Sequence, residues 1–303
     1  MTNPELSVPS QRKLWLAAIK PPMYSVAIMP ILLGSAIAYG ETGSFAPRIF
    51  WTFLSAAILI LVWLNLTNDV FDADTGIDVN KAHSIVTLTG NKPLIFALAN
   101  GLLAIAGFEI LLLGWWQQDW TVIGLITSCV VLGYSYQGPP FRLGYLGLGE
   151  PICFVTFGPL AVLAAYYAQT QTFSKLPLFA SVILGVTTTA ILFCSHFHQV
   201  TDDLAAGKKS PIVRLGTARG ANVLVGMVVA VYLWLTVGLL WGVFPNTLSL
   251  TFLSLPWAWR LGRFVAQNHG QPASISGSKF LAIYWQFSSG VLLCLSFVWL
   301  HYQ

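Results

Sequence analysis

Long apolar runs alternate with short polar links along this chain. A helical bilayer crossing needs about 20 mainly apolar residues, and nine runs of that kind stand out: 21–40, 48–68, 93–116, 120–136, 150–169, 177–198, 221–242, 246–265 and 280–301. The fourth is short, and the eighth carries Arg260 and Arg263. The pattern predicts an all-α, multi-pass membrane protein with nine transmembrane helices, a single domain over 1–303 and no soluble domain besides. The first twenty residues are polar and include Pro4, Glu5, Pro9 and Arg12, so no cleavable signal peptide is expected.

Composition agrees. Charged residues make up 9% of the chain and hydrophobic ones 56%, against about 25% charged in soluble domains; the mean hydropathy is +0.71. With nine spans, all of the 15 Lys and Arg except Arg48 and Lys175 fall on the N-terminal side of the membrane. The positive-inside rule puts that side in the cytoplasm or its equivalent. The net charge of +4 needs no nucleic acid to explain it, and no obligate protein partner is implied. Cys129, Cys153, Cys194 and Cys294 all lie in predicted spans without metal-type spacing, so they read as small apolar packers.

The acidic residues are concentrated. NLTNDVFDADTGID (65–78) follows the second span with Asp69, Asp72, Asp74 and Asp78, and HFHQVTDDLAAGKKSPIVRLG (196–216) closes the sixth with Asp202 and Asp203. Both lie on the cytoplasmic side; the opposite loops hold only Glu41 and Asp119. Spans two and six are four apart, which suggests two four-helix halves plus a ninth helix. If the helices continue, Asn65, Asn68, Asp69 and Asp72 share a face, as do Gln199, Asp202 and Asp203. Carboxylates grouped near a bilayer are costly unless a cation sits between them. Such oxygens suit Mg²⁺, which also takes water and substrate phosphate. An acidic loop merely leaving the membrane is the other reading of the same spacing. Cations stand near both clusters: Lys20, Lys81, His83 and Lys92 with the first, Lys208, Lys209 and Arg214 with the second. Acids for Mg²⁺ beside cations for anions are what a diphosphate requires, although these lysines also satisfy positive-inside. Neither GxxxxGK[ST] nor a strand-linked GxGxxG occurs, which excludes the common nucleotide loops.

At these residues the chain resembles the UbiA superfamily of intramembrane prenyltransferases. That family has an NDxxD motif after its second helix and a DxxxD motif after its sixth. Here the first reads Asn68-Asp69-Val70-Phe71-Asp72 and continues through Gly76 and Asp78, the NDxxDxxxGxD form of the 1,4-dihydroxy-2-naphthoate branch. The second reads Gln199-Val200-Thr201-Asp202-Asp203, with an amide in place of the first carboxylate, so that either Gln199 or Asp202 takes the place of the missing Asp. GPPFRLGYLGLGEP (138–151) and GKKSPIVRLG (207–216) look like the same branch, and His196 with His198 is similar to its phytyl-transferring members in oxygenic phototrophs.

The resemblance implies a phytyl (prenyl) diphosphate donor, a 1,4-dihydroxy-2-naphthoate acceptor, a Mg²⁺ cofactor and loss of CO₂, in the plasma or thylakoid membrane of a phototroph. Asn68, Asp69, Asp72 and Asp203 would be catalytic, with Asn68, Asp72, Asp202 and Asp203 on the metal. Lys20, Lys81, Lys208 and Arg214 would hold the diphosphate. Tyr134, Tyr136, Phe141 and Tyr145 would face the allylic cation, and His196, His198 and Gln199 the acceptor. The tyrosines also fit an interfacial belt, the role given to Trp115, Trp116 and Trp120 on the opposite side. Glu109, inside the third span, reads as a packed and hydrogen-bonded structural group. Other aromatic acceptors (homogentisate, 4-hydroxybenzoate, chlorophyllide) are the runners-up. A secondary transporter of an anion would place its polar groups near the midplane beside broken helices, and a CDP-alcohol phosphotransferase would carry DxxDGxxAR, which is absent.

Overall fold

A computed structural model describes residues 11–75 and 84–303. Gly76, Asp78, Lys81 and His83, singled out above, lie outside the described residues. The secondary structure of the rest is helical. A short helix α1 (Gln11–Ile19) turns at Lys20, in the left-handed region, into a 3₁₀ turn (Pro21–Tyr24) and then α2 (Ser25–Thr42). Next come α3 (Pro47–Thr75), the short α4 (Ile85–Thr89), α5 (Lys92–Gln117) and α6 (Thr121–Gln137). Helices α7 (Gly149–Val155) and α8 (Ala161–Thr170) are one rod interrupted by a π-helical turn, Thr156–Leu160, around Pro159. Proline removes a backbone donor, and such a bulge absorbs the lost bond. α9 (Lys175–His196), α10 (Val200–Ala205), α11 (Pro211–Leu215) and α12 (Thr217–Leu240) follow. A 3₁₀ stretch (Asn246–Ser254), α13 (Leu255–Asn268), α14 (Pro272–Ile275) and α15 (Ser278–Leu300) complete the chain.

Seven helices among the described residues are long and apolar enough to cross a membrane. The two remaining predicted spans differ from expectation for visible reasons. α6 has 17 residues, while the eighth run splits into a 3₁₀ stretch and the amphipathic α13, which buries Ala258, Leu261 and Val265 and exposes Trp259. The chain is an integral membrane protein.

Burial separates centre from periphery. The apolar windows of α1–α2 and α9 are 67% buried and that of α5 only 22%, so α2 and α9 form the middle while α5 turns much of its apolar surface outward to lipid. Apolar side chains gain little by leaving lipid for one another, so close approach through small residues matters. A Cβ on Gly34 of α2 would lie 2.5 Å from the Val162 carbonyl oxygen and 2.7 Å from the Tyr166 nitrogen, which shows how tightly α2 and α8 meet. Glu109 of α5 accepts a hydrogen bond from Ser55 of α3 at 2.9 Å, a polar tie between those two helices.

Candidate active site

The long helix α3 runs beyond the apolar part of its sequence and carries the first acidic cluster on its last two turns. The second cluster is placed differently from a continued helix: α9 ends at His196, and the chain restarts as α10 after Gln199. The Asp203 N–H donates to the Gln199 carbonyl at 2.8 Å, so the first turn of this short helix groups Gln199, Asp202 and Asp203 as spacing predicts. Both clusters open into a single cavity of about 610 Å³. Its polar wall holds Asn65, Asn68 and Asp72 from α3 with Gln199, Asp202 and Asp203 from the start of α10. Lys20, Lys208 and Lys279 line it as well, and Leu61, Leu64, Ile152, Phe157, Ile191 and Leu192 make its walls apolar elsewhere.

Asp72 is buried and held from two sides. Gln137 donates from Nε2 to Oδ1 at 3.3 Å and the Tyr145 hydroxyl does so at 3.5 Å, while Tyr145 also meets the Thr75 hydroxyl at 2.7 Å. Asp203 is fully buried. His196 Nδ1 lies 3.2 Å from its Oδ2 and Lys208 Nζ 3.5 Å from its Oδ1. Burial pushes the Asp203 carboxyl up, but the His196 hydrogen bond and the Lys208 charge outweigh it and hold the group below the ordinary carboxylate range. The other face of His196 is 3.3 Å from Glu150 Oε1, so this imidazole spans two carboxylates.

No trio of His, Cys, Asp or Glu among the described residues could enclose an ion unaided. The donor set fits Mg²⁺ in another way. Asp72 and Asp203 reach one cavity from α3 and α10, with the Asn68 and Gln199 amides beside them, and Asp203 Oδ1, buried and 3.5 Å from Lys208 Nζ, completes no hydrogen bond among the described residues. Hard oxygens from few carboxylates, with coordination left for water and phosphate, are the usual Mg²⁺ arrangement.

The profile of the UbiA prenyltransferase family matches residues 27–300. The chain belongs to the UbiA prenyltransferase family. It is 56% identical over 97% of its length, and 95% of the relative's, to the 2-carboxy-1,4-naphthoquinone phytyltransferase of a Synechocystis species. It is 41% identical to the chloroplastic enzyme of that name from Arabidopsis thaliana, covering 97% of this chain and 79% of the relative. In fold it is similar to a UbiA homolog from Archaeoglobus fulgidus bound to DMAPP and Mg²⁺, with a TM-score of 0.60, 12% identity and coverage of 91% of this chain and 99% of the other.

This UbiA chain keeps several expected residues off the cavity wall. Asp69 turns aside, accepting the Ile85 N–H at 2.9 Å and standing 4.0 Å from Lys20 Nζ, so it anchors α4 and steers a cavity lysine. Arg214 is exposed and donates to the carbonyls of Lys209 (3.1 Å) and Leu146 (2.5 Å), stitching two loops together. Tyr134 donates to Pro139 O at 2.7 Å and packs edge-on to Phe71, and Phe141 is exposed on a loop. Tyr136, His196 and His198 line the cavity, and Tyr145 stands behind Asp72. The sequence reading missed Gln137 and Glu150. Each is a polar residue at the end of an apolar run, which is the available signal for a buried function. On the opposite side Trp115 and Trp120 are exposed as a belt requires, and Trp116 carries the Arg48 guanidinium 3.4 Å from its ring centroid.

Proposed function

We propose that this chain is a Mg²⁺-dependent phytyltransferase that joins a phytyl group from its diphosphate to 1,4-dihydroxy-2-naphthoate, the reduced form of 2-carboxy-1,4-naphthoquinone. The observation that carries this reading is the convergence of Asp72, from α3, and Asp203, from α10, on one cavity lined by Lys20, Lys208 and Lys279 and by apolar side chains. The relatives' names support the phytyl group and the 2-carboxy-1,4-naphthoquinone skeleton of the acceptor.

Asn68, Asp72 and Asp203, with Asp202 from the same turn, would hold the metal, which when bound neutralises charge on the departing diphosphate. Lys208 and Lys20 lie at the cavity and add positive charge where the leaving oxygen becomes negative; Lys81 belongs to the same role by sequence. The allylic C–O bond breaks with its electron pair passing to the diphosphate. The electron-rich ring then forms the new C–C bond, and its carboxyl group leaves as CO₂. Tyr136 presents a ring to the cation, and the apolar walls exclude water and house the tail. No side chain is bonded covalently to substrate in this scheme.

α6 and the segment 246–268 complete nine crossings in this reading, with the site on the cytoplasmic face of a plasma or thylakoid membrane. Single cysteines at 84–92 and 202–215 of a Cys-free variant are expected to react with an impermeant maleimide from the same face. Labelling from opposite faces would break the shared-site arrangement. The activity is tested by incubating purified protein with Mg²⁺, 1,4-dihydroxy-2-naphthoate and phytyl or all-trans prenyl diphosphates. Expected is a decarboxylated phytyl naphthoquinol, formed faster from phytyl diphosphate and abolished by EDTA. Turnover of homogentisate or 4-hydroxybenzoate in its place would redirect the reading to another acceptor.

A further inference from the structure

Three lysines line the cavity, and they have different surroundings. Lys208 is committed to Asp203 at 3.5 Å, and Lys20 stands 4.0 Å from Asp69. Lys279 is neither on the α3 wall nor in the loop after α10. It is the second residue of α15, whose first turn contains no acid. A cation at a helix N-terminus is opposed by the helix dipole, so this corner of the cavity gathers positive potential. The start of α15 is fixed against the end of α9, where the Ser278 hydroxyl donates to the Cys194 carbonyl at 3.4 Å.

His198 lines the same cavity as Lys279, whose charge disfavours protonation of the imidazole after the larger effect of burial. Its neighbour His196 has both ring nitrogens engaged, by Asp203 and Glu150. His198 differs: Nδ1 is buried, borders the same cavity and has no hydrogen-bond partner among the described residues. Phe280 and Ile283, on the same face of α15, also line the cavity beside the lysine and supply a surface for a flat ring. Asp202 and Asp203 act electrostatically on His198 as well, so this basic corner borders the acids.

We propose that Lys279, with the Nδ1–H of His198, binds the carboxylate of the acceptor and thereby selects a carboxylated aromatic ring. This rests on the naphthoate reading above. A ring held by its carboxylate at the start of α15 and seated on Phe280 lies beside the acidic pair, so its nucleophilic edge faces the carbon released from diphosphate. Lys208 and Lys20 are then left to the donor.

The test is steady-state kinetics of the purified enzyme with Mg²⁺, phytyl diphosphate and 1,4-dihydroxy-2-naphthoate, each substrate varied in turn. Lys279→Met is expected to raise the acceptor KM by roughly tenfold or more, as loss of a charge-assisted contact does. The KM for phytyl diphosphate should stay within about twofold, and Lys279→Arg should keep the acceptor KM near that of the parent. As a second readout, 2-naphthoate should compete with the acceptor in the parent and lose potency in Lys279→Met, whereas 2-naphthol should inhibit both alike. An unchanged acceptor KM, or a rise in the diphosphate KM instead, overturns the proposal. Should Lys279→Met be inert, Lys279→Arg has to restore turnover, and failure there overturns it too. A parent enzyme that ignores the naphthoate while prenylating another acceptor refutes the naphthoate reading itself, an outcome distinct from an active parent with an indifferent Lys279→Met.

Discussion

Asp203→Ala and Asp72→Ala should each leave a folded protein with essentially no turnover. In the proposed site each removes a buried charge that would balance Mg²⁺ and diphosphate, and for Asp203 it also strands Lys208 and His196. A loss of at least about 3 kcal/mol of transition-state stabilisation means a fall of more than a hundredfold in kcat. The milder Asp202→Asn, on the same helical turn, is expected to cost roughly a hundredfold, with partial recovery when Gln199→Asp is added. Radiolabelled phytyl transfer at saturating Mg²⁺ gives the answer. Near-normal activity in Asp72→Ala or Asp203→Ala would remove that residue from the site, and a silent Asp202→Asn would leave Asp203 as the carboxylate its loop gives the metal.

Gly34→Leu should severely damage the fold itself. A side chain there must enter space already held by the backbone of α8, with the Val162 oxygen 2.5 Å from the new Cβ and the Ala165 Cβ 2.6 Å away. Backbone at a helix crossing does not rotate aside as a side chain does, so the cost should reach or exceed the upper end of the usual overpacking range, about 3 kcal/mol. Gly101→Leu is the matched control, because nothing lies within 4 Å of a Cβ built there. Melting in the same detergent compares them. A Gly34→Leu protein that melts with the Gly101→Leu control would refute the close-packing argument.

The apolar runs made most of the fold legible, because a membrane span must satisfy its own backbone and announces itself by length. The two ambiguous runs were those where length fails as a signal, α6 being short and 246–268 being split by a change of helix type. Spacing likewise foretold that Asn65, Asn68 and Asp72 would share a surface. It did not foretell Asp69: helical periodicity gives a direction, but the Ile85 N–H offers that carboxylate a partner outside the cavity. Arg214 was read as a ligand for anions and is engaged by loop carbonyls, contacts between distant segments that no local pattern reveals. Lys279 counted in the sequence only toward orientation, and its place in the cavity that His198 also lines emerged from tertiary structure.

Tyr145 belongs to neither acidic cluster, yet its hydroxyl meets Thr75 and Asp72 while its carbonyl accepts the Lys209 N–H at 2.8 Å. The loop bearing it is made after the first cluster and before the second. A nascent chain that has inserted α3 and this loop therefore has one acidic face and no opposing one. In the proposed site the second acidic face is complete only when the segment around Lys209, whose N–H meets the Tyr145 carbonyl, has been made.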